Sequence, residues 1–355
     1  MFASWLATMS QRSSKSIPEG TTFCFEAGTY RLSEPATPRS DQRLIAEQGV
    51  VLDGGGTVED GIQGFGGYQD GVTVRGFTVR NFTRDGNRNR LELGSGGQRG
   101  PRHSDRYANQ DGALVRDNFI HHNFRYGIVA NGYGREVGDR IAIDGNEIAF
   151  NNTARHDEGD EGGTKLLKVW GLDVRCNHVH HNYGNGLWTD GDNVDVVYEH
   201  NIVEHNQGIG IFHEISYDAI VRNNVVRHNT IAEGRSLFYG SQLHIQNSQN
   251  VEVYGNVIDG ETHGIGIVST DRGGGIYGTF RAANIDVHDN FIKMRGATGT
   301  AGKRQVTASD ITFRDNRYVV PDSGRHWTWG AIVPSSWRQW QAIGNDVGGT
   351  RTISP

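Results

Sequence analysis

The apolar positions of this chain come in short alternating runs, such as Ile209 and Ile211, Leu243 and Ile245, or Ile265 and Ile267, and each run is bounded by Asn, Gly or Asp. Alternation with period two puts one set of side chains on each face of a strand, so the pattern predicts many short strands with one face turned inward. Between the runs a phrase returns. It reads Asp117-Asn118-Phe119-Ile120-His121-His122-Asn123, then Gly145-Asn146-Glu147-Ile148 with Asn151, then Cys176-Asn177-His178-Val179-His180-His181-Asn182. It continues as His200-Asn201-Ile202-Val203-Glu204-His205-Asn206 and Asn223-Asn224-Val225-Val226-Arg227-His228-Asn229, with worn copies at Asn256, Asn290 and Asn316. A unit of roughly 23 to 34 residues holding two or three such runs is the signature of a solenoid, in which each repeat packs only on its neighbours.

The paired Asn residues five apart, such as Asn201 and Asn206, suit corners between strands, because Asn tolerates the left-handed region and stacks amide on amide. His122, His181, His205 and His228 precede the second Asn and are expected to stack as a solvated row rather than to hold a metal. The first coils are read at Thr21–Leu32 and Val50–Gly56, with the first clear repeat at Gly71–Asn81. The Gly/Arg-rich stretch 84–112 interrupts the repeats and is expected to be a loop inserted on one side. The division expected is an N-terminal extension or cap over 1–20, a solenoid over 21–321 and a Trp-rich capping segment over 322–355, where four of the seven Trp fall. Those Trp residues either cover the last open coil or offer a platform for sugar rings.

Composition narrows the function. The 50 Gly, 7 Pro and 3 Met, with 35% hydrophobic residues and a mean hydropathy of −0.57, describe many turns around a thin core. No stretch approaches the length of a membrane span, so no membrane partner is expected. A net charge of −6 without a Lys/Arg-rich patch argues against nucleic acid. Cys24 and Cys176 stand far apart and supply neither a disulfide framework nor zinc spacing. Residues 1–15 carry a short apolar stretch but no clear signal peptide.

The repeats resemble the right-handed parallel β-helix proteins of the pectin-lyase-like superfamily. The resemblance covers about Thr21 to Pro321 and implies an all-β, single-stranded right-handed parallel β-helix of about ten coils, with loop insertions on one side. It also implies a carbohydrate-active, extracellular or cell-surface protein. The superfamily includes uronate lyases, epimerases, glycoside hydrolases and phage tailspikes, so the fold alone selects no reaction. Trp188-Thr189-Asp190-Gly191 echoes the Asn-Thr-Asp motif of the polygalacturonase branch, whose other motifs are missing. Glu214-Ile215-Ser216 echoes the lyase strand that follows a Glu but lacks its Lys. No catalytic set transfers.

The repeats serve as a ruler. Matching Asn182 to Asn206 lays Leu187-Trp188-Thr189-Asp190 over Ile211-Phe212-His213-Glu214, with Leu243-His244-Ile245-Gln246 and Ile267-Val268-Ser269-Thr270 on the next two coils. Backward, Asn131 and Lys165 fall on the two coils before, giving an outward row Asn131, Lys165, Asp190, Glu214, Gln246, Thr270. Carboxylates on adjacent coils stand roughly 4.8 Å apart and repel unless a cation or a shared proton compensates. Three readings follow. In a lyase or uronate epimerase, Ca²⁺ held by Asp190, Asp192, Glu214 and Asp218 neutralises a uronate while Lys165, or His213, removes the adjacent proton. In a glycoside hydrolase, Asp190 and Glu214 are the carboxylate pair, and roughly 5 Å between them favours retention. In a non-catalytic, tailspike-like protein the row is a solvated face. The lean is to a lyase acting on a uronic-acid polysaccharide. Trp188, Phe212 and Tyr217 are expected to form a sugar platform, or to lie under the loops 84–112 and 155–163. Asn131, His244 and Gln246 join the substrate contacts, and Thr189 and His213 point inward. With no continuous apolar outer stripe, a monomer is expected.

Overall fold

The computed structural model describes residues 17–63, 71–83, 92–95, 112–132, 140–155, 161–229, 237–304, 310–332, 334 and 336–354. Among them the chain winds through three long sheets, sheet A with 11 strands, sheet B with 12 and sheet C with 10. One full turn illustrates the path. Val194–Glu199 lies in sheet A, Ile202–Glu204 in sheet B and Ile211–Glu214 in sheet C. Tyr217–Arg222 then pairs in parallel beneath Val194–Glu199.

The inward positions stack into columns. In sheet A, Val74, Val115, Ile143, Val174, Tyr198, Val221, Val253, Val287 and Phe313 succeed one another coil by coil, and all are buried. A like column runs through sheet B from Ile120 to Tyr318. Each buried Val or Ile contributes on the order of 1.5–3 kcal/mol, and because every coil repeats it the core is long and continuous.

The corners between the sheets are held by amides. Asn118, Asn146, Asn177, Asn201, Asn224, Asn256, Asn290 and Asn316 form one ladder at the corner from sheet A to sheet B. Asn201 shows the unit: its Nδ2 donates to Val174 O at 2.8 Å and to Asn224 Oδ1 at 3.0 Å, and its Oδ1 accepts Asn177 N and Nδ2, both at 3.0 Å. A second ladder, Asn123, Asn151, Asn182, Asn206 and Asn229, holds the corner from B to C and ends on Gln242. The left-handed residue is not the ladder Asn, as the sequence reading had it, but the residue before it: Cys176 at φ 56°, His200 at 56°, Asn223 at 55° and His205 at 54°. That turn aims the next side chain inward, where the amide replaces the ladder bonds a bending strand gives up.

The expected imidazole row is present, with Phe150 inserted in it. His122, Phe150, His181, His205 and His228 stack with ring centroids 5.2 Å apart at each step. Cys24 and Cys176 are free thiols. In the stretch read as a loop at 84–112, Glu92–Ser95 is a strand antiparallel to Tyr126–Asn131 in sheet C. Most of the rest of that stretch lies outside the described residues.

The coil runs past Pro321, since Arg325–Trp329 joins sheet C and Thr350–Ile353 joins sheet B. Trp327 and Trp340 are buried, so they close the last coil and present no sugar platform. The helix α1, Trp337–Ala342, is capped by Ser336 and brings Trp340 inward. Asp346 ends the long ladder by accepting Asn316 N at 3.0 Å, Tyr318 OH at 2.7 Å and Trp340 Nε1 at 2.9 Å. Among the described residues no helix is long and apolar enough to cross a membrane.

Candidate active site

The strands Leu187–Asp190 and Ile211–Glu214 of sheet C carry the site. Their register pairs Leu187 with Ile211, Trp188 with Phe212, Thr189 with His213 and Asp190 with Glu214, as the Asn ruler predicted. Ser241–Gln246 follows in the expected register too, with His244 beside Phe212 and Gln246 beside Glu214. The ruler slips by two residues further out. Gln246 faces Val268, not Thr270, and Leu166 faces Thr189, which sets Lys165 in the column of Trp188 instead of that of Asp190. Insertions between the repeats change the unit length without changing the parity, so Lys165 still points outward. Asn131 stands beside Leu167, two coils from Asp190.

The long Lys165 side chain makes up the offset. Its Nζ lies 2.9 Å from Asp190 Oδ2 and 3.4 Å above the centre of the Trp188 ring. The Trp188 indole stacks on Phe212 at 5.4 Å and 12°, and its Nε1 donates to Glu214 Oε2 at 3.2 Å. Asp190 Oδ1 is buried with no hydrogen-bond partner among the described residues. Glu214 is buried, with 4% of its surface exposed. Burial, then the neighbouring Asp190 charge, push its carboxyl up to about 7, against the opposing pull of Arg272 and Lys165.

Arg272 comes from outside the repeats. It lies on the segment 269–282 between sheets C and A, and its Nη1 meets Glu214 Oε1 at 2.5 Å. The segment folds back through a two-stranded hairpin, Gly274–Gly275 with Gly278–Thr279. It is pinned where Ile276 N donates to Asp192 Oδ1 at 3.0 Å. Gly275 is required there, since a Cβ would sit 2.1 Å from that same carboxylate oxygen. The role of Arg272 is not legible in the repeats. The only signal was an Arg ahead of a three-Gly run just after a core strand, and nothing in the repeat says where such a segment folds.

Several sequence expectations change on these observations. Trp188, Phe212 and Tyr217 do not form an exposed platform, since their surfaces are 2%, 4% and 1% exposed. Tyr217 belongs to sheet A and is covered by Phe280 and Tyr277 of the Arg272 segment. Burial and the Asp192 charge push its phenol up to about 12. His244 is fully buried and its Nδ1 contacts Phe238 O at 2.7 Å, and Gln246 is buried beside it. Phe238 fills the place above Gly266, where a Cβ would meet it at 2.5 Å. His213 lies inside the coil with Nδ1 2.8 Å from Thr189 Oγ1, and burial holds its imidazole down at about 3, so it faces no substrate groove.

The calcium set does not assemble either. Asp192 accepts the hairpin backbone, Asp218 accepts Asn250 Nδ2 at 2.7 Å on sheet A, and Asp190 and Glu214 are each paired with a base. Among the described residues the one group of three possible ligands whose atoms lie within 4.8 Å of one another is Glu252, Asp286 and His288, on sheet A. There Arg314 and Thr312 already engage Asp286. Of the acidic run before Lys165, Asp157, Glu158 and Asp160 lie outside the described residues, and Glu161 is buried and paired with Arg125.

Residues 60–258, more than half of the chain, match the family described as the right handed beta helix region. No curated protein matches the sequence. Among solved structures, PfbA, a surface adhesin of Streptococcus pneumoniae, is similar at 11% identity over 99% of this chain and 89% of that one, with a TM-score of 0.50. The mannuronan C-5 epimerase AlgE4 A-module of Azotobacter vinelandii is similar at 13% identity over 95% and 89%, with a TM-score of 0.43. A mannuronic acid specific polysaccharide family 6 lyase from human gut microbiota is similar at 13% identity over 99% and 90%, with a TM-score of 0.42. At such identities the likeness is one of fold.

Proposed function

The chain belongs to the right handed beta helix region family, and on that premise we propose that it is a polysaccharide-cleaving enzyme, acting outside the cell or at its surface, with Glu214 as proton donor and Asp190 as its anionic partner. One observation carries this reading. A carboxyl held near neutrality, Glu214 at about 7, stands one coil from a carboxylate ion-paired with Lys165. Unlike environments on adjacent acids are what separates a general acid from its anionic partner.

In this mechanism Glu214 protonates the glycosidic oxygen as the bond to the anomeric carbon breaks. Asp190 Oδ1, which has no partner among the described residues, attacks or stabilises the positive charge left on the sugar. Strand spacing sets the two residues roughly 4.8 Å apart at the backbone, on adjacent coils of one sheet. Lys165 and Trp188 hold Asp190 and Glu214 in place. Arg272 covers Glu214, so the segment 269–282 must shift to admit a sugar.

β-Elimination is the second reading, favoured by Lys165 standing beside both carboxylates. As arranged, though, Lys165 donates to Asp190 and lies over Trp188, which makes it a counter-ion instead of a free base. No step through calcium follows from a carboxylate set that does not converge. The decisive test incubates the protein with neutral and uronic-acid polysaccharides and follows reducing ends together with ultraviolet absorbance. Reducing ends without absorbance support hydrolysis. Absorbance from a new double bond moves the assignment to the lyase, and neither signal on any polymer leaves a binding protein.

A further inference from the structure

Away from the Asp190–Glu214 pair, the corner where sheet B turns toward sheet C holds a cavity of about 500 Å³. Its wall is assembled by five successive coils, which contribute Arg31, Asp53, Asn81, His122 and Thr153, and Phe124 also lines it. The last of these coils is the one that continues into the Lys165 strand, Gly162–Leu167. At the strand spacing the middle of the cavity lies three to four coils from the acidic pair, roughly 17 Å along the axis. Asp190 and Glu214 end their strands at the far edge of sheet C, next to sheet A, so an oligosaccharide that reaches both places runs diagonally across sheet C.

The charges in the cavity are unequal. Asp53 is fully engaged, accepting Arg80 Nε at 3.1 Å, Asn81 Nδ2 at 3.1 Å and Gly55 N at 2.8 Å. Arg31, its neighbour in the ladder of sheet B, is exposed and has no carboxylate within ion-pairing distance among the described residues. A guanidinium left over in a polar cavity wants a planar anion with two oxygens, which is what a carboxylate offers. His122 and Phe124 add flat faces for the apolar side of a pyranose ring, and Thr153 and Asn81 add polar groups suited to hydroxyls.

We propose that this cavity is a distal subsite for a uronic-acid residue of an acidic polysaccharide, with Arg31 pairing the sugar carboxylate. It deepens the reading of the protein as a polysaccharide-cleaving enzyme and rests on it for the path of the chain. Affinity electrophoresis in gels containing polygalacturonate, alginate or a neutral mannan tests it on the full-length protein. Wild type is expected to be retarded by at least one of the two polyuronates and not by mannan. Arg31→Gln is expected to lose about tenfold in that affinity, the usual scale for one charge-assisted hydrogen bond, while Arg31→Lys keeps most of it. On a polyuronate that is cleaved, Arg31→Gln should raise KM and leave kcat unchanged, and on fragments too short to span both sites it should change neither.

An Arg31→Gln variant that binds polyuronate as tightly as wild type, or a wild type retarded equally by mannan, overturns the proposal. Glu214→Gln separates this outcome from the fate of the catalytic reading, since it should abolish cleavage and keep full, Arg31-dependent binding. If no polymer is cleaved by wild type but the Arg31-dependent binding is present, the catalytic assignment alone falls.

Discussion

The Asn corners and the outer row of sheet C are built on the same coils and work by opposite rules. At the corners each residue is satisfied by its own copy one coil away, so Asn201 bonds Asn177 and Asn224 and the ladder repeats itself through eight coils. In the outer row each coil brings a different residue. Lys165, Asp190 and Glu214 lie on successive coils, and Glu214 is completed by Arg272, 58 residues away on a segment that belongs to no repeat. A ladder of identical amides gains stability from uniformity. The row becomes a site because its members differ, and burial beside the Asp190 charge holds Glu214 near neutrality although Arg272 pairs with it.

The largest effect that could break this contrast is on turnover. Glu214→Gln and Asp190→Asn, assayed on the cleaved polymer, are each expected to lower kcat by roughly 10²–10⁴ with the β-helix still folded. Wild-type rates in both variants would move the chemistry to another face.

Next in size is the ladder. Asn201→Ala removes two donated bonds and leaves the buried Asn177 N, and one N–H of its Nδ2, without their acceptor, for a cost of about 2–4 kcal/mol. Urea denaturation reads this as a lower midpoint, with kcat preserved where the protein is folded. An unchanged midpoint would show that neighbouring rungs absorb the loss.

Two pH effects sharpen the other side of the contrast. Activity is expected to fall as pH rises through about 7, where Glu214 loses its proton. Arg272→Ala, which removes a cation that favours the ionised acid, should move that limb to higher pH. A limb that stays in place or moves down would detach Arg272 from the acid. Stability should follow the same group. The folded-state value of Glu214 lies above its ordinary 4.5, so its contribution is present below about pH 4.5 and is lost as pH rises through about 7. Glu214→Gln should flatten that slope in melting experiments.

The smallest effect is expected in the exposed imidazole column. His205→Asn keeps a residue at ease with φ near 54° and should shift stability by no more than about 0.5 kcal/mol. A larger loss would mean that the stacked rings hold the coils together as the amides do.

Much of this was legible in the chain. The period of the Asn phrase and the alternation around it carry the solenoid, the inward columns and the register that lays Trp188-Thr189-Asp190 on Phe212-His213-Glu214. The inward placement of Thr189 and His213 follows from parity alone. The reading failed where neighbours came from outside the repeat. It places Lys165 and Thr270 two residues out because insertions stretch individual coils, and it leaves open whether Trp188, Phe212 and Tyr217 form a platform or lie under loops, because it does not place the residues that cover them. It also gathered Asp192 and Asp218 around a cation, although the first caps a hairpin and the second faces sheet A.

The sequence by itself determined the coil, since a period-two strand and a self-pairing amide are local properties that each repeat carries whole. Only the tertiary structure decided the site. The proton affinity of Glu214 depends on how deeply it is buried and on which charges stand near it, and the Arg272 segment, Trp188 and Lys165 reach it through the packing of separate coils, which no single repeat encodes.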